Sequence, residues 1–217
     1  MTEDIRALEE ELLATARTML AKGLVEGTAG NISARLPDGN VVMTPSSVEY
    51  DTMTLDDLVV VDLDGQVVEG TRTPTTERAL HLACYRRYPE VGAVMHSHAK
   101  HATMFAVTRQ PIPAVIEEFV VYVGGDVPVC DYRLTGSEEL GEEVARRLAD
   151  TSAVLMANHG LCTIGPDLKK ALQAAELVER TAEIIWGARV LGPLVPIPEE
   201  TTANFRNVYR FLRENPM

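Results

Sequence analysis

One carboxylate and three imidazoles in this chain have the chemistry to meet at a metal ion: Glu77, His96, His98 and His159. The first three fall between Thr75 and His101, a stretch that reads TTERALHLACYRRYPEVGAVMHSHAKH. His159 lies far along, in Ala157-Asn158-His159-Gly160. Zinc takes imidazole nitrogen at about 2.0–2.1 Å and carboxylate oxygen at about 2.0–2.2 Å, usually with four ligands in all. In extended backbone residues i and i+2 point to the same side, so His96 and His98 can face one ion. Gly160 lets backbone approach the His159 turn closely. Each residue also has an ordinary reading: an HxH pair is commonly core or surface, and a helical glutamate is commonly solvated. His81 falls one turn after Glu77 on the same helical face, where it either orients Glu77 or simply packs. His101 adds a fifth histidine to the count.

Several elements must carry these groups. Between Thr2 and Lys22, Ile5, Leu8, Leu12, Leu13, Ala16, Met19 and Leu20 recur in steps of three and four. That pattern predicts an amphipathic helix, with Thr2, Glu3 and Asp4 at its start and Gly23 as its stop. GTAGN (27–31) leads into NISARL, a Pro-Asp-Gly-Asn turn and VVMT, which is hairpin chemistry. LVVVDL (58–63) and Gln66 to Glu69 read as a second hairpin across Asp64-Gly65. A helix is expected from Thr75 to Tyr88, ended by Pro89, then a buried strand from Val91 to Met95 and a helix from His98 to Val107. The Pro-, Val- and Gly-rich run from Arg109 to Tyr132 reads as short strands around Gly124-Gly125. Thr135-Gly136-Ser137 caps a helix running to about Ala149. Strands at Ala153 to Ala157 and Leu161 to Ile164 flank Asn158-His159-Gly160. Helices follow from Pro166-Asp167 to Gly192 and from Glu199 to Arg213. No repeat or linker divides the chain, so the expectation is one α/β domain, residues 1–217, with a mostly antiparallel sheet.

The 217 residues carry a formal charge of −12 and are 46% hydrophobic and 24% charged. That sign disfavours nucleic acid or an anionic membrane as partner. Cys84, Cys130 and Cys162 are widely spaced and form no CxxC pair, so no secreted disulfide framework is implied. The acidic start MTEDIRALEEELL is unlike a signal peptide, and no apolar run nears the roughly 20 residues that cross a bilayer. The expected setting is soluble and cytoplasmic.

Taken in order, GTAGN, TTE, HSH and NHG closely resemble the class II aldolase and adducin-head family, in particular its L-fuculose-1-phosphate aldolase branch. The likeness runs from the first helix through the helix after His159. It implies a sheet sandwiched by helices, assembled as a homotetramer with active sites between subunits. By position, Glu77, His96, His98 and His159 match the family's zinc ligands. Gly30 and Asn31 in GTAGN, Ser46 and Ser47 in TPSS, and Thr75 and Thr76 in TTE match its phosphate-binding positions, with Thr28 beside them. Thr75 and Thr76 also fall where a helix is expected to begin, whose free N–H groups favour an anion. The implied reaction is reversible cleavage of a sugar phosphate to dihydroxyacetone phosphate and an aldehyde. In it a divalent ion (zinc, or manganese or cobalt on the same ligands) stabilises an enediolate, and Glu77 moves the proton.

The resemblance is incomplete at one place. Where the fuculose-phosphate enzymes have a tyrosine lent by a neighbouring subunit, this chain has Glu117, in IPAVIEEFVVYVGG. Glu118 and Tyr122 are the candidates to replace it, and Tyr209 lies near a second family tyrosine. Pentulose-5-phosphate 4-epimerase and methylthioribulose-1-phosphate dehydratase are alternative activities in the family, although the epimerases carry Asp where Glu77 stands. A non-catalytic adducin-like head is the non-enzymatic alternative, against which all four ligands are present. A zinc hydrolase gains nothing from the sequence, which lacks HExxH.

Overall fold

Most strand-forming residues in this chain are buried on both sides, Val67–Glu69 excepted, and that alternation organises the molecule. The computed structural model describes residues 3–215. Its strands are β1 (Asn31–Arg35), β2 (Val41–Met43), β3 (Val59–Val61), β4 (Val67–Glu69), β5 (Ala93–Ser97), β6 (Val129–Cys130), β7 (Ala153–Met156) and β8 (Gly160–Gly165). They form one sheet in the order β4-β3-β2-β1-β5-β8-β7-β6. Every pairing is antiparallel except that of β6 with β7.

The helices are α1 (Glu3–Ala21), α2 (Arg78–Arg87), α3 (Lys100–Thr108), α4 (Glu117–Val123), α5 (Glu138–Arg147), α6 (Leu168–Leu191) and α7 (Glu199–Glu214). Ala93 and Met95 of β5, Leu155 of β7 and Leu161 of β8 pack in one core with residues of α1, α3, α4 and α6. Val94, Val154, Cys162 and Ile164 pack in the other, with residues of α2 and α5. The period of two along each strand assigns neighbours to opposite layers. The expected α/β architecture, with a mostly antiparallel sheet covered on both faces, is the one observed.

Local differences from the sequence reading have physical causes. The run Glu117–Val123 is a helix and not a strand. Its β-branched residues favour extension, but Ile116, Phe119, Val120 and Val123 recur at i, i+3, i+4 and i+7, and the last three are buried. Packing of that stripe outweighs a propensity difference of tenths of a kcal/mol. Helix α2 begins at Arg78 with Glu77 as its N-cap residue, so Thr75 and Thr76 lie in the preceding turn. Strand β5 runs to Ser97 and so includes His96. At α5 the cap is Ser137, whose hydroxyl accepts from the Leu140 N–H at 3.2 Å. The expected contribution of Thr2 to α1 lies outside the described residues.

Helix α2 is held against α5 at very short range. A Cβ placed on Gly141 would lie 2.7 Å from the Ala79 carbonyl oxygen and 3.2 Å from the Ala83 Cβ. Gly141→Val therefore forces the two helices apart and is expected to cost about 1–3 kcal/mol by overpacking. Urea denaturation should show the lowered midpoint, with an unchanged slope if the compactness of both states is preserved.

Candidate metal centre

The site forms where β1, β5, the β7–β8 turn and the start of α2 meet. In the β1–β5 ladder Asn31 stands opposite His96. His96 shares the parity of Val94, so its ring faces α2. Its Nδ1 lies 3.0 Å from the Leu161 carbonyl oxygen. A carbonyl only accepts, so Nδ1 carries the proton and the Nε2 lone pair points into the site. There Nε2 stands 3.0 Å from His98 Nε2 and 3.1 Å from Glu77 Oε2. Glu77 Oε1 is 3.4 Å from His159 Nε2. The ligand atoms of the three histidines all lie within 4.8 Å of one another.

These separations pass a simple test for an ion. Two ligand atoms each about 2.0–2.1 Å from a tetrahedral centre stand about 3.3–3.4 Å apart. Three contacts, at 3.0, 3.1 and 3.4 Å, lie near that spacing, and no N–H of His96 links it to Glu77; the histidine ligand atoms, all within 4.8 Å of one another, would draw closer around an ion. The residues present fit a divalent cation.

Electrostatics favour the ligand forms. Burial, then the neighbouring His96 and His159 imidazoles, push His98 down to about 4. Burial and His96 lower His159 as well. Both are thus neutral near pH 7, as metal ligation requires. Burial alone would raise the Glu77 carboxyl; proton charge on the His96 and His159 rings and the Asn31 amide lower it, and with the rings as neutral ligands the Asn31 and Thr135 donors and a bound cation would take that part. The Asn31 amide donates to Oε2 at 3.0 Å and the Thr135 hydroxyl to Oε1 at 3.0 Å. Thr135 was not expected here. Its signal was a surplus, since Thr135 and Ser137 are two hydroxyls at one helix start and a single cap leaves the other free.

Glycine and two left-handed residues shape the His159 turn. A Cβ on Gly160 would sit 2.4 Å from the Ser97 carbonyl oxygen and 3.2 Å from ring atoms of both His96 and His98. Asn158 holds φ 56° and Arg109, the C-cap residue of α3, also holds φ 56°. The Arg109 guanidinium donates to Asn158 Oδ1 at 2.5 Å, and the Asn158 N–H to the Ala106 carbonyl at 3.4 Å. Helix α3 thereby anchors the turn that presents His159.

The residues matched to a phosphate site gather beside the ligands. A bridge between Pro45 and Pro74 joins the Ser46-Ser47 loop to the Thr75-Thr76 turn. The Ser46 N–H donates to the Thr73 carbonyl, and the Thr75 N–H to the Thr44 carbonyl. Tyr50 donates to the Gly30 carbonyl at 2.7 Å, tying the Thr28–Gly30 loop to the same segment. The Thr75 hydroxyl accepts from the Glu77 N–H at 3.3 Å, and the Asn31 side chain is held between Glu77 and His81. The exposed or partly exposed hydroxyls are those of Thr28, Ser46, Ser47 and Thr76.

Of the remaining candidates, Glu118 pairs with Arg180, and Tyr122 lies against Lys170, its ring centroid 5.6 Å from the ammonium. Tyr209 is buried with its hydroxyl 2.9 Å from that of Ser152, at the far end of β7 from His159. Glu117 is exposed. Glu118, Tyr122 and Tyr209 are thus each engaged elsewhere within this chain. His101 is likewise occupied elsewhere, its ring 2.8 Å from Glu179.

Comparison with known proteins identifies the family. The profile of the Class II Aldolase and Adducin N-terminal domain matches residues 10–186. The chain is 34% identical over 196 residues to a 5-deoxy-D-ribulose 1-phosphate aldolase of Bacillus thuringiensis, covering 90% of this chain and 92% of that protein. It is 39% identical over 190 residues to the L-ribulose-5-phosphate 4-epimerase UlaF of Salmonella paratyphi B, covering 82% and 83%. A solved L-fuculose 1-phosphate aldolase superposes with a TM-score of 0.90 at 31% identity, over 97% of this chain and 98% of that one. This chain belongs to the class II aldolase and adducin family.

Gly160→Ala tests the centre without replacing a ligand. The added methyl meets backbone at Ser97 and the rings of His96 and His98, so metal affinity should fall by about 10–100-fold, the range seen when ligand supports are disturbed. Competition with a fluorescent zinc chelator would measure it, and circular dichroism should remain that of the parent.

Proposed function

We propose that the chain is a zinc-dependent class II aldolase that reversibly cleaves a ketose 1-phosphate to dihydroxyacetone phosphate and an aldehyde. The observation that carries the reading is the double suspension of Glu77, with one donor on each oxygen and two imidazoles at 3.1 and 3.4 Å. Zinc, or manganese or cobalt in its place, would be held by His96, His98, His159 and Glu77 and would supply Lewis-acid stabilisation of an enediolate. Three neutral imidazoles and one carboxylate leave a divalent ion with net positive charge, which suits an anionic substrate in a chain of charge −12.

Glu77 is the proton carrier of the proposal. Its carboxylate stays ionised and keeps a donor on each oxygen, so it accepts a proton from the carbon or hydroxyl beside the bond that breaks and returns it to the product. Thr135 and Asn31 hold it in place while it does so. The hydroxyls of Thr28, Ser46, Ser47 and Thr76, with the turns at Gly30 and Thr75, would bind the phosphate and fix the position of the reacting bond. Relatives that bear the names of ketose phosphate aldolases support this substrate class. The proposed assembly is a cytoplasmic homotetramer with sites between subunits, as the family resemblance implies; that Glu118, Tyr122 and Tyr209 are engaged elsewhere within this chain supports a contribution from a neighbour.

The second reading is 4-epimerisation of a pentulose 5-phosphate, favoured by the 39% identity to UlaF. One assay separates the two. Released dihydroxyacetone phosphate is followed from several ketose 1-phosphates, with inversion of L-ribulose 5-phosphate and water loss from methylthioribulose 1-phosphate measured in parallel. The aldolase reading expects cleavage of a ketose 1-phosphate that chelator abolishes and zinc restores. Inversion without cleavage would replace it with the epimerase. Glu77→Gln should slow exchange of the substrate C–H proton by about 10²–10⁴-fold, and exchange at the parent rate would remove Glu77 from the role.

A further inference from the structure

Behind Glu77 runs a line of polar side chains that are all buried, alternating between β1 and α2. Asn31 and Ser33 are two apart on the strand; Glu77, His81 and Tyr85 are four apart on the helix start and helix. Four helical residues advance about 6.0 Å and two strand residues about 6.6–6.8 Å, so the two repeats stay in step where the elements lie side by side. The contacts run without a gap. Asn31 Nδ2 to Glu77 Oε2 is 3.0 Å, Asn31 Oδ1 to His81 Nε2 is 2.5 Å, His81 Nδ1 to Ser33 Oγ is 2.6 Å, and Ser33 Oγ to the Tyr85 hydroxyl is 2.8 Å.

The direction of every proton in this line follows from the Asn31 amide. Its Nδ2 faces Glu77 Oε2 and its Oδ1 faces His81 Nε2, so it presents its NH2 group to Glu77 and its oxygen to His81. That oxygen only accepts, so His81 carries its proton on Nε2. Burial pushes His81 down to about 3, against an opposing pull from Glu77, so the ring is neutral and its Nδ1 is an acceptor. Ser33 must then donate to Nδ1, and its oxygen accepts from Tyr85, whose own ionisation is opposed by burial. Ser33 and His81 are fully buried and Tyr85 is 1% exposed, so no water competes for these positions.

We propose that Tyr85, Ser33 and His81 form a one-way chain of donors that locks the Asn31 amide, and through it the Glu77 carboxylate, so that His81 is a positioning residue for the base. The catalytic consequence rests on the function proposed above; the direction of the chain does not. An apolar cluster of the same volume would stabilise the fold at least as well, because buried polar groups gain little net free energy even when satisfied. What the polar line adds is orientation. Without a donor at its oxygen the Asn31 amide is free to turn and set that oxygen against the carboxylate.

Two measurements test this. The first is nitrogen-15 NMR of the zinc-loaded protein, in which His81 should show a protonated Nε2 and an unprotonated, hydrogen-bonded Nδ1 from pH 5 to 9. A protonated Nδ1 overturns the chain whatever the activity. The second compares His81→Leu, His81→Gln and Tyr85→Phe for kcat and KM with the ketose 1-phosphate that is cleaved, zinc content and melting temperature. His81→Leu should lose about 10–100-fold in kcat with KM and zinc stoichiometry held. His81→Gln, with one amide donor and one acceptor, should recover most of that loss, and Tyr85→Phe should fall between the two. Parent kcat in His81→Leu, or equal losses in the Leu and Gln variants that track melting temperature and zinc content, would overturn the positioning role. If the parent cleaves no ketose phosphate, the functional reading fails while the NMR result still decides the chain; Tyr85→Phe and the NMR stand where His81→Leu does not fold.

Discussion

The register among β1, β5 and β8 is the constraint on which the site depends. Asn31 lies opposite His96, and His96 opposite Cys162. A slip of one residue would turn His96 into the core beside Met95 and present Met95 to Glu77. Burial on both faces forbids the slip, because Ala93 and Met95 belong to one core and Val94 to the other. Close approaches at both ends of the ladder reinforce it. A Cβ on Gly92 would lie 2.1 Å from the Pro166 carbonyl oxygen, and one on Gly160 would lie 2.4 Å from that of Ser97. The histidines are therefore placed by packing that has no chemistry of its own.

The carboxylate they surround is expensive to keep. Glu77 is only 6% exposed, and an ionised group so placed is tolerated when donors and countercharge replace its water. Asn31 and Thr135 come from different elements and reach different oxygens, so neither α2 nor β1 alone defines the position. The three imidazoles, in their neutral form, bring no countercharge. A divalent cation would complete the balance, so the same residues that burden the fold are suited to a metal centre.

Much of this was legible in the sequence, for identifiable reasons. The hairpins, the long α6 and the parity of His96 with His98 follow from periods of two and 3.6 that survive any tertiary context. The set Glu77, His96, His98 and His159 was legible as an ordered resemblance, and its convergence is a matter of tertiary structure. Helix α4 was hidden because Val120, Val121 and Val123 advertise extension while their spacing advertises a helix. Thr135 was hidden because its partner is 58 residues away in sequence. The role of Asn31 was only half visible. GTAGN marks the loop, but nothing local says that its amide bridges Glu77 and His81.

The unequal completeness of the two halves of the site bears on specificity. The candidate metal half is assembled within this chain, with His96 held by the Leu161 carbonyl, Glu77 by Asn31 and Thr135, and the His159 turn by Arg109. The half that would meet the second product is not, since Glu118 is bound to Arg180, Tyr122 lies against Lys170 and Tyr209 is buried against Ser152. Relatives similar to this chain over most of its length bear the names of aldolases and of an epimerase. In the proposed function both reactions would break a carbon–carbon bond and would draw on the metal half. Choice between them would then turn on what holds the departing aldehyde and whether it leaves. We propose that the exposed start of α4 around Glu117, with the surface it meets, bears on that choice together with position 77, where the resemblance gives the epimerases an aspartate.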